Sequence, residues 1–281
     1  MRESHLNPPP ATPEPATPEP ATLLLAPDLP AGAPLIEFAQ VSIGFDERMI
    51  LRKVSFAVNR GETLCILGRS GVGKSVSLRL LLGFLRPDEG SIRIGGACIT
   101  SLGEEGLRQV RKHVTMVFQN GALFDSLSVR ENVAFPLREA GGLSEQQITA
   151  RVEELIALVG AEDAVDLLPA SLSTGRKRAV AIARALAAAP DVVLYDEPTT
   201  MVDPLIARRL GNLIEKLKLE RGFTSVVVTH DMRFARRLAD RVLFLDEGEA
   251  RFFGPLEAFL ESQEPAIRDF LELDAYTLPL R

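Results

Sequence analysis

Two short segments hold most of the residues that could do phosphate chemistry. The first runs Gly68-Arg69-Ser70-Gly71-Val72-Gly73-Lys74-Ser75. Its glycines let successive backbone N–H groups curl around an anion, and a helix starting at its end adds positive potential. Lys74 could then reach the β- and γ-phosphates of a nucleotide, and the Ser75 hydroxyl could ligate Mg2+. The second segment, Val192-Val193-Leu194-Tyr195-Asp196-Glu197, is apolar until it ends in two acids. A strand of that kind sets carboxylates at the C-terminal edge of a sheet, where open α/β sheets bind ligands. Asp196 could hold Mg2+ through water, and Glu197 could orient or deprotonate an attacking water. Each segment has a plain reading too, as a chance match or a strand running into an acidic turn. Their joint presence weighs against it.

Weaker signals accompany them. Leu172-Ser173-Thr174-Gly175-Arg176 precedes a long helical stretch, and a hydroxyl with glycine at a helix start suits anion contact or a simple N-cap. Gln119 and His230 each follow an apolar strand. Gln119 could face metal and water, and His230 a γ-phosphate. Asp203 stands before Pro204, the order of an N-cap followed by proline at the first helical position.

The elements that must position these residues are legible as a pattern. Residues 36–41 and 51–58 alternate like strands, and Thr63 to Leu67 is an apolar run ending in glycine. Ser75 to Phe84 follows with helical spacing, which supplies the strand–loop–helix context a phosphate loop requires. Further strand candidates, 114–118, 192–195, 225–229 and 241–245, alternate with helices, predicting an α/β fold with a mostly parallel sheet. Between about 120 and 172 helical patterns dominate, for example 144–159, and predict a helical insertion. Residues 255–281 read as a helical tail, and residues 1–34, with a tandem Ala-Thr-Pro-Glu-Pro repeat, as a disordered, semi-stiff tail.

Bulk properties set the limits. The 281 residues are ample for a buried core, with 46% hydrophobic and 25% charged residues. A net charge of −6 argues against broad nucleic-acid binding. Two cysteines, Cys65 and Cys98, fit a reduced compartment rather than a disulfide scaffold. The first residues lack the apolar run of a secretory signal, and no stretch is long and apolar enough to span a bilayer. Any transport pore is therefore expected from another chain.

From Ile36 to Gly254 the order of these pieces resembles the ABC transporter ATPase family. Residues 68–75 are similar to its Walker A, Gln119 to its Q-loop and 172–176 to its signature motif. Residues 192–197 are similar to its Walker B with the catalytic glutamate, 201–204 to its D-loop, and His230 to its switch histidine. The resemblance implies a P-loop NTPase fold with a mostly parallel core sheet, an antiparallel β-subdomain and a helical insertion, spanning 35–254. It implies ATP and Mg2+ as cofactors, with Ser75, Gln119 and Asp196 toward the metal and Lys74 toward the phosphates. It also implies a head-to-tail homodimer in which Ser173, Thr174 and Gly175 of one subunit, with Asp203, face the other subunit's ATP. Phe45 falls where the family places an aromatic that stacks on adenine. Integral-membrane permease subunits are the implied partners, and the cytoplasmic face of the inner membrane the implied place.

A narrower resemblance, to the Mla/Mce lipid-transport ATPases, is carried by Gly-Ala-Leu-Phe at 121–124 and Phe-Pro-Leu-Arg-Glu at 135–139. It implies phospholipid movement across the envelope and a substrate-binding lipid carrier protein as a further partner. The alternatives are an importer of a small polar solute such as an amino acid, a non-transport ABC ATPase, or a regulatory subunit that does not hydrolyse ATP. Three departures bear on the last. Thr174 stands where the family usually has glycine, and Arg176 where it has glutamine or methionine. Ala179 replaces a frequent arginine, for which Arg178 is a candidate substitute. A β-branched Thr174 would be strained if its site needed a positive φ.

Overall fold

A computed structural model describes residues 32–276, with the side chains of 221 and 274–276 left aside. The proline-rich stretch, up to residue 31, lies outside the described residues, as do residues 277–281. The chain opens with two long antiparallel strands, β1 (Ile36–Phe45) and β2 (Arg48–Val58). It then enters β3 (Thr63–Leu67), whose five residues are all buried, and α1 (Lys74–Leu81). A hairpin of β4 (Glu89–Ile94) and β5 (Ala97–Cys98) adds to β1, giving a four-stranded antiparallel sheet in the order β2-β1-β4-β5.

After α2 (Glu104–His113) comes β6 (Val114–Val117), then two helices in succession, α3 (Val129–Ala140) and α4 (Glu145–Leu158). Both start at a serine capping box, Ser128 with Glu131 and Ser144 with Gln147, which satisfies two free amide donors at each helix start. The chain continues through α5 (Thr174–Ala187), β7 (Val192–Asp196), α6 (Pro204–Arg221), β8 (Thr224–Val228), α7 (Met232–Leu238) and β9 (Arg241–Asp246). It ends with β10 (Glu249–Pro255), α8 (Leu256–Leu260) and α9 (Pro265–Tyr276).

The second sheet has the order β10-β9-β3-β8-β7-β6. All its pairings are parallel except β10 with β9. Period-two alternation explains why its inner strands read as mainly apolar runs, since both of their faces are covered. Leu64, Ile66, Val192, Leu194, Val226 and Val228 point to one face and pack with α1 and the antiparallel sheet. Cys65, Leu67, Val193, Tyr195 and Val227 point to the other and pack with α3, α4, α5 and α9. Each fully buried Val, Leu or Ile contributes roughly 1.5–3 kcal/mol, so this double-sided layer anchors the sheet whose C-terminal edge carries the site. The expected α/β architecture is observed. The hairpin β4–β5 belongs to the antiparallel sheet that the resemblance implies, and helix α2 and the antiparallel edge strand β10 are additions.

Candidate active site

The loop after β3 takes its shape from its glycines. Gly68 has φ 146° and a Cβ built there would sit 2.3 Å from the Leu245 carbonyl oxygen, so the backbone passes where no side chain fits. Gly73, at φ 104°, closes the loop as the N-cap of α1, and its missing Cβ would meet Leu51 at 2.6 Å. Between them Arg69, Ser70 and Gly71 are exposed and Val72 is half-buried. The first helical residue is Lys74, buried at 6% exposure. Its Nζ donates to the carbonyl oxygens of Gly68 (2.8 Å) and Arg69 (3.1 Å). A ring of backbone amides, a helix N-terminus and an ammonium so arranged can hold an oligophosphate.

Strand pairing brings the other groups to this loop. Ser75 follows Lys74, and its Oγ donates to Asp196 Oδ1 at 2.8 Å. Glu197 directly follows β7 with a left-handed backbone, φ 47°, a conformation that side-chain-bearing residues adopt rarely and often at functional sites. Its carboxylate is enclosed by three groups. Lys74 Nζ lies 3.5 Å from Oε1. Thr200 Oγ1 donates to Oε2 at 3.0 Å, and His230 Nδ1 lies 2.8 Å from the same oxygen. β8 pairs with β7 so that Val228 opposes Asp196, which sets His230 beside Glu197. On the other flank Val117 opposes Tyr195, and Gln119, half-buried in the turn after β6, stands at the same sheet edge.

Electrostatics follow from this enclosure. Burial alone would raise the Glu197 carboxyl, but the His230 contact, the His230 and Lys74 charges and the Thr200 bond outweigh it and hold it below the usual carboxylate range. Asp196 goes the other way: burial raises it, with the Ser75 bond opposing. Burial lowers Lys74 against the pull of Glu197 and Asp196. The hydrogen bond to Glu197 raises His230 above its ordinary value. An ionised carboxylate beside a phosphate loop, with a histidine on its far oxygen, can take a proton from a water whose oxygen attacks the terminal phosphorus of an oligophosphate as the bridging phosphate oxygen leaves.

The remaining expected residues lie elsewhere in the single chain. Ser173 is the N-cap of α5, its Oγ accepting from Arg176 N at 3.4 Å. Asp203 is the N-cap of α6, accepting from Leu205 N at 2.7 Å. Both cap readings therefore hold. Phe45 closes β1 and is 44% exposed. The strain considered for Thr174 does not arise, because it is the first residue of α5 and its φ is not positive. Gly175 is required for packing: a Cβ there would lie 2.5 Å from Ile206. Arg176 is engaged with Asp163 at 2.8 Å. Sequence reasoning missed Thr200, and it missed that the buried Arg178 is directed at the carbonyls following Glu197. A threonine three residues after an acid at a strand end was the available signal for the first. The second needed the fold.

Comparison with known proteins gives the family and the fold. The ABC transporter family matches residues 51–200. The chain is 42% identical over 248 residues to a methionine import ATP-binding protein of Brucella abortus, the match covering 88% of this chain and 67% of that one. It is 37% identical to a probable amino-acid ABC transporter ATP-binding protein of Sinorhizobium fredii, covering 85% of this chain and 96% of the relative. It also superposes with a TM-score of 0.72, at 32% identity, on an ATP-binding cassette solved as a dimer in a post-hydrolysis state with ADP and Pi. That match covers 79% of this chain and 98% of the other. Phosphate loop, paired acids at the neighbouring strand end, and matching relatives over most of the chain lead to one conclusion: the chain belongs to the ABC transporter family, as its ATP-binding, ATP-hydrolysing subunit.

Proposed function

We propose that two copies of this chain hydrolyse ATP at shared sites and thereby drive import of a small polar solute of the amino-acid class. The observation that carries the hydrolytic assignment is the Glu197 carboxylate, held beside the phosphate loop by Lys74, Thr200 and His230. In this reading the amides of Arg69, Ser70, Gly71, Val72 and Gly73 take the phosphates. Lys74 exchanges its loop carbonyls for β- and γ-phosphate oxygens, and Phe45 stacks on adenine. Glu197 accepts a proton from the attacking water, and His230 binds the γ-phosphate. Ser173, Thr174 and Gly175 of the second copy, with Asp203, close over the nucleotide.

The donors Ser75, Asp196 and Gln119 are hard oxygen ligands of the kind Mg2+ takes, and the 2.8 Å contact of the first two brings them together. Among the described residues no group of three His, Cys, Asp or Glu could hold a metal by itself. That fits a cation arriving with its nucleotide, where it neutralises phosphate charge.

We further propose 35–254 as the ATPase domain, with a helical subdomain at about 120–172, and 255–281 as an appended tail, of which 277–281 lie outside the described residues. No helix among the described residues is long and apolar enough to cross a membrane. Permease subunits in the inner membrane are then the partners, with this chain peripheral on the cytoplasmic face. The methionine and amino-acid relatives support the importer reading over the lipid one. A lipid substrate is kept as a second reading, on the strings 121–124 and 135–139, which flank the capped start of α3. The test is to copurify the native membrane complex and identify its bound ligands by mass spectrometry. An amino acid supports import; a stoichiometric phospholipid with no amino acid overturns it in favour of the second reading.

A further inference from the structure

Arg178 lies in the second turn of α5 and is buried at 6% exposure. Its hydrogen bonds all go to carbonyl oxygens of one short segment. Nη1 donates to Glu197 O at 3.1 Å and to Pro198 O at 2.6 Å, and Nη2 donates to Thr200 O. Its Nε is buried without a hydrogen-bond partner among the described residues. Burial lowers the guanidinium's pKa, with no neighbouring carboxylate opposing that effect. A buried cation matched only by backbone dipoles is an unfavourable arrangement for stability alone.

The segment it grips begins at, and runs up to, residues with a strained backbone. Glu197 and Met201 both have left-handed φ, 47° and 59°. Such conformations persist only where the surroundings over-determine them. Charge-assisted bonds to three carbonyls in four residues supply that determination. Without them the peptide after Glu197 can relax, and its carboxylate leaves the orientation that meets Lys74, Thr200 and His230.

We infer that Arg178 is a positioning residue for hydrolysis, holding the left-handed turn at Glu197 so that the carboxylate faces the phosphate loop. This rests on the assignment of Glu197 as the general base. It adds a requirement that assignment does not contain: turnover depends on a side chain that acts through the backbone carbonyls of Glu197, Pro198 and Thr200.

The test compares Arg178→Ala, Arg178→Lys and Glu197→Gln with the parent. It uses ATP affinity, kcat and KM, and amide hydrogen exchange of residues 197–202 in the nucleotide-free protein. Arg178→Ala is expected to bind ATP within about threefold of the parent and to lose kcat by about tenfold or more with KM little changed. Faster exchange is expected at 197–202 and not elsewhere in α5 or β7. Guanidinium ion added to this variant should restore part of kcat, and Arg178→Lys should be intermediate. A kcat within about twofold of the parent, with unchanged exchange, overturns the inference. So does a loss accompanied by faster exchange throughout α5 and no guanidinium rescue, which marks a purely structural role. If Arg178→Ala does not fold, Arg178→Lys decides: parent-like kcat overturns, reduced kcat at parent-like thermal stability supports. Turnover retained in Glu197→Gln would instead overturn the base assignment, and exchange at 197–202 would still decide whether Arg178 holds the turn.

Discussion

At the residue scale the chemistry concentrates on one carboxylate and one ammonium. Lys74 is buried, and in this structure its three near neighbours are the Gly68 and Arg69 carbonyls and Glu197. Lys74→Ala is expected to weaken ATP binding by about tenfold or more, since a charge-assisted contact to phosphate is lost. Equilibrium binding of a fluorescent ATP analogue measures this, and unchanged affinity would contradict the phosphate-loop role. The Glu197–His230 contact makes a second prediction, through pH. His230 is raised and Glu197 lowered, so both are charged between those values. The His230 contribution to stability is complete below about 6.5 and is lost as pH rises through its raised folded value. The Glu197 contribution is present above its unfolded value, near 4.3, and is lost as pH falls through the depressed folded value. An NMR titration of the nucleotide-free protein should place His230 above 6.5, and Glu197→Gln should lower it. A His230 that titrates identically in both proteins contradicts the pairing. Lys74, Asp196 and Glu197 stood out by residue type and spacing, whereas His230 stood out only through the family resemblance. The contact between Glu197 and His230 was not legible, because it spans 33 residues and depends on the register of β7 against β8.

At the element scale, what was legible depended on how deeply an element is buried. β3, β7 and β8 are covered on both faces, so each appears in the sequence as a continuous apolar run. The hairpin β4–β5 and the edge strand β10 mix exposed and buried positions, and glycines interrupt them. Their local pattern is weak, and pairing with β1 and β9 decides their conformation. The segment between Gln119 and α3 shows how a loop can be ordered by side chains from neighbouring helices, Arg184 at Ala122 and Asn132 at Phe124. Asn132 is fully buried; its Nδ2 donates to the carbonyls of Phe124, Leu127 and Ser128, and its Oδ1 accepts from Phe124 N. Asn132→Ala removes the partners of the Leu127 carbonyl and the Phe124 amide, while the Phe124 and Ser128 carbonyls keep backbone donors, and is expected to cost about 1–3 kcal/mol of stability. Urea unfolding measures it, and a change below about 0.5 kcal/mol would show that the loop finds other partners. Nothing in the spacing of polar residues marks Asn132 as buried, which is why the sequence did not reveal it.

At the scale of the whole molecule, a double-sided sheet presents one edge on which loop, acids and histidine converge, while Ser173, Gly175 and Asp203 stand at helix starts outside that cluster. The α/β class was legible because strand and helix periods alternate along the chain. The relation between two copies was not, because it belongs to surfaces and not to periodicity. Shared sites make a fourth prediction: Glu197→Gln should dimerise when ATP is added and remain dimeric, while Lys74→Ala stays monomeric under the same conditions. Sedimentation velocity distinguishes the two. The most direct measurement of the central claim is steady-state hydrolysis by Glu197→Gln, made together with its ATP affinity. The expected result is affinity within about threefold of the parent and turnover reduced by about a hundredfold or more. Parent-like turnover at parent-like affinity would contradict the assignment of Glu197 as the group that activates water.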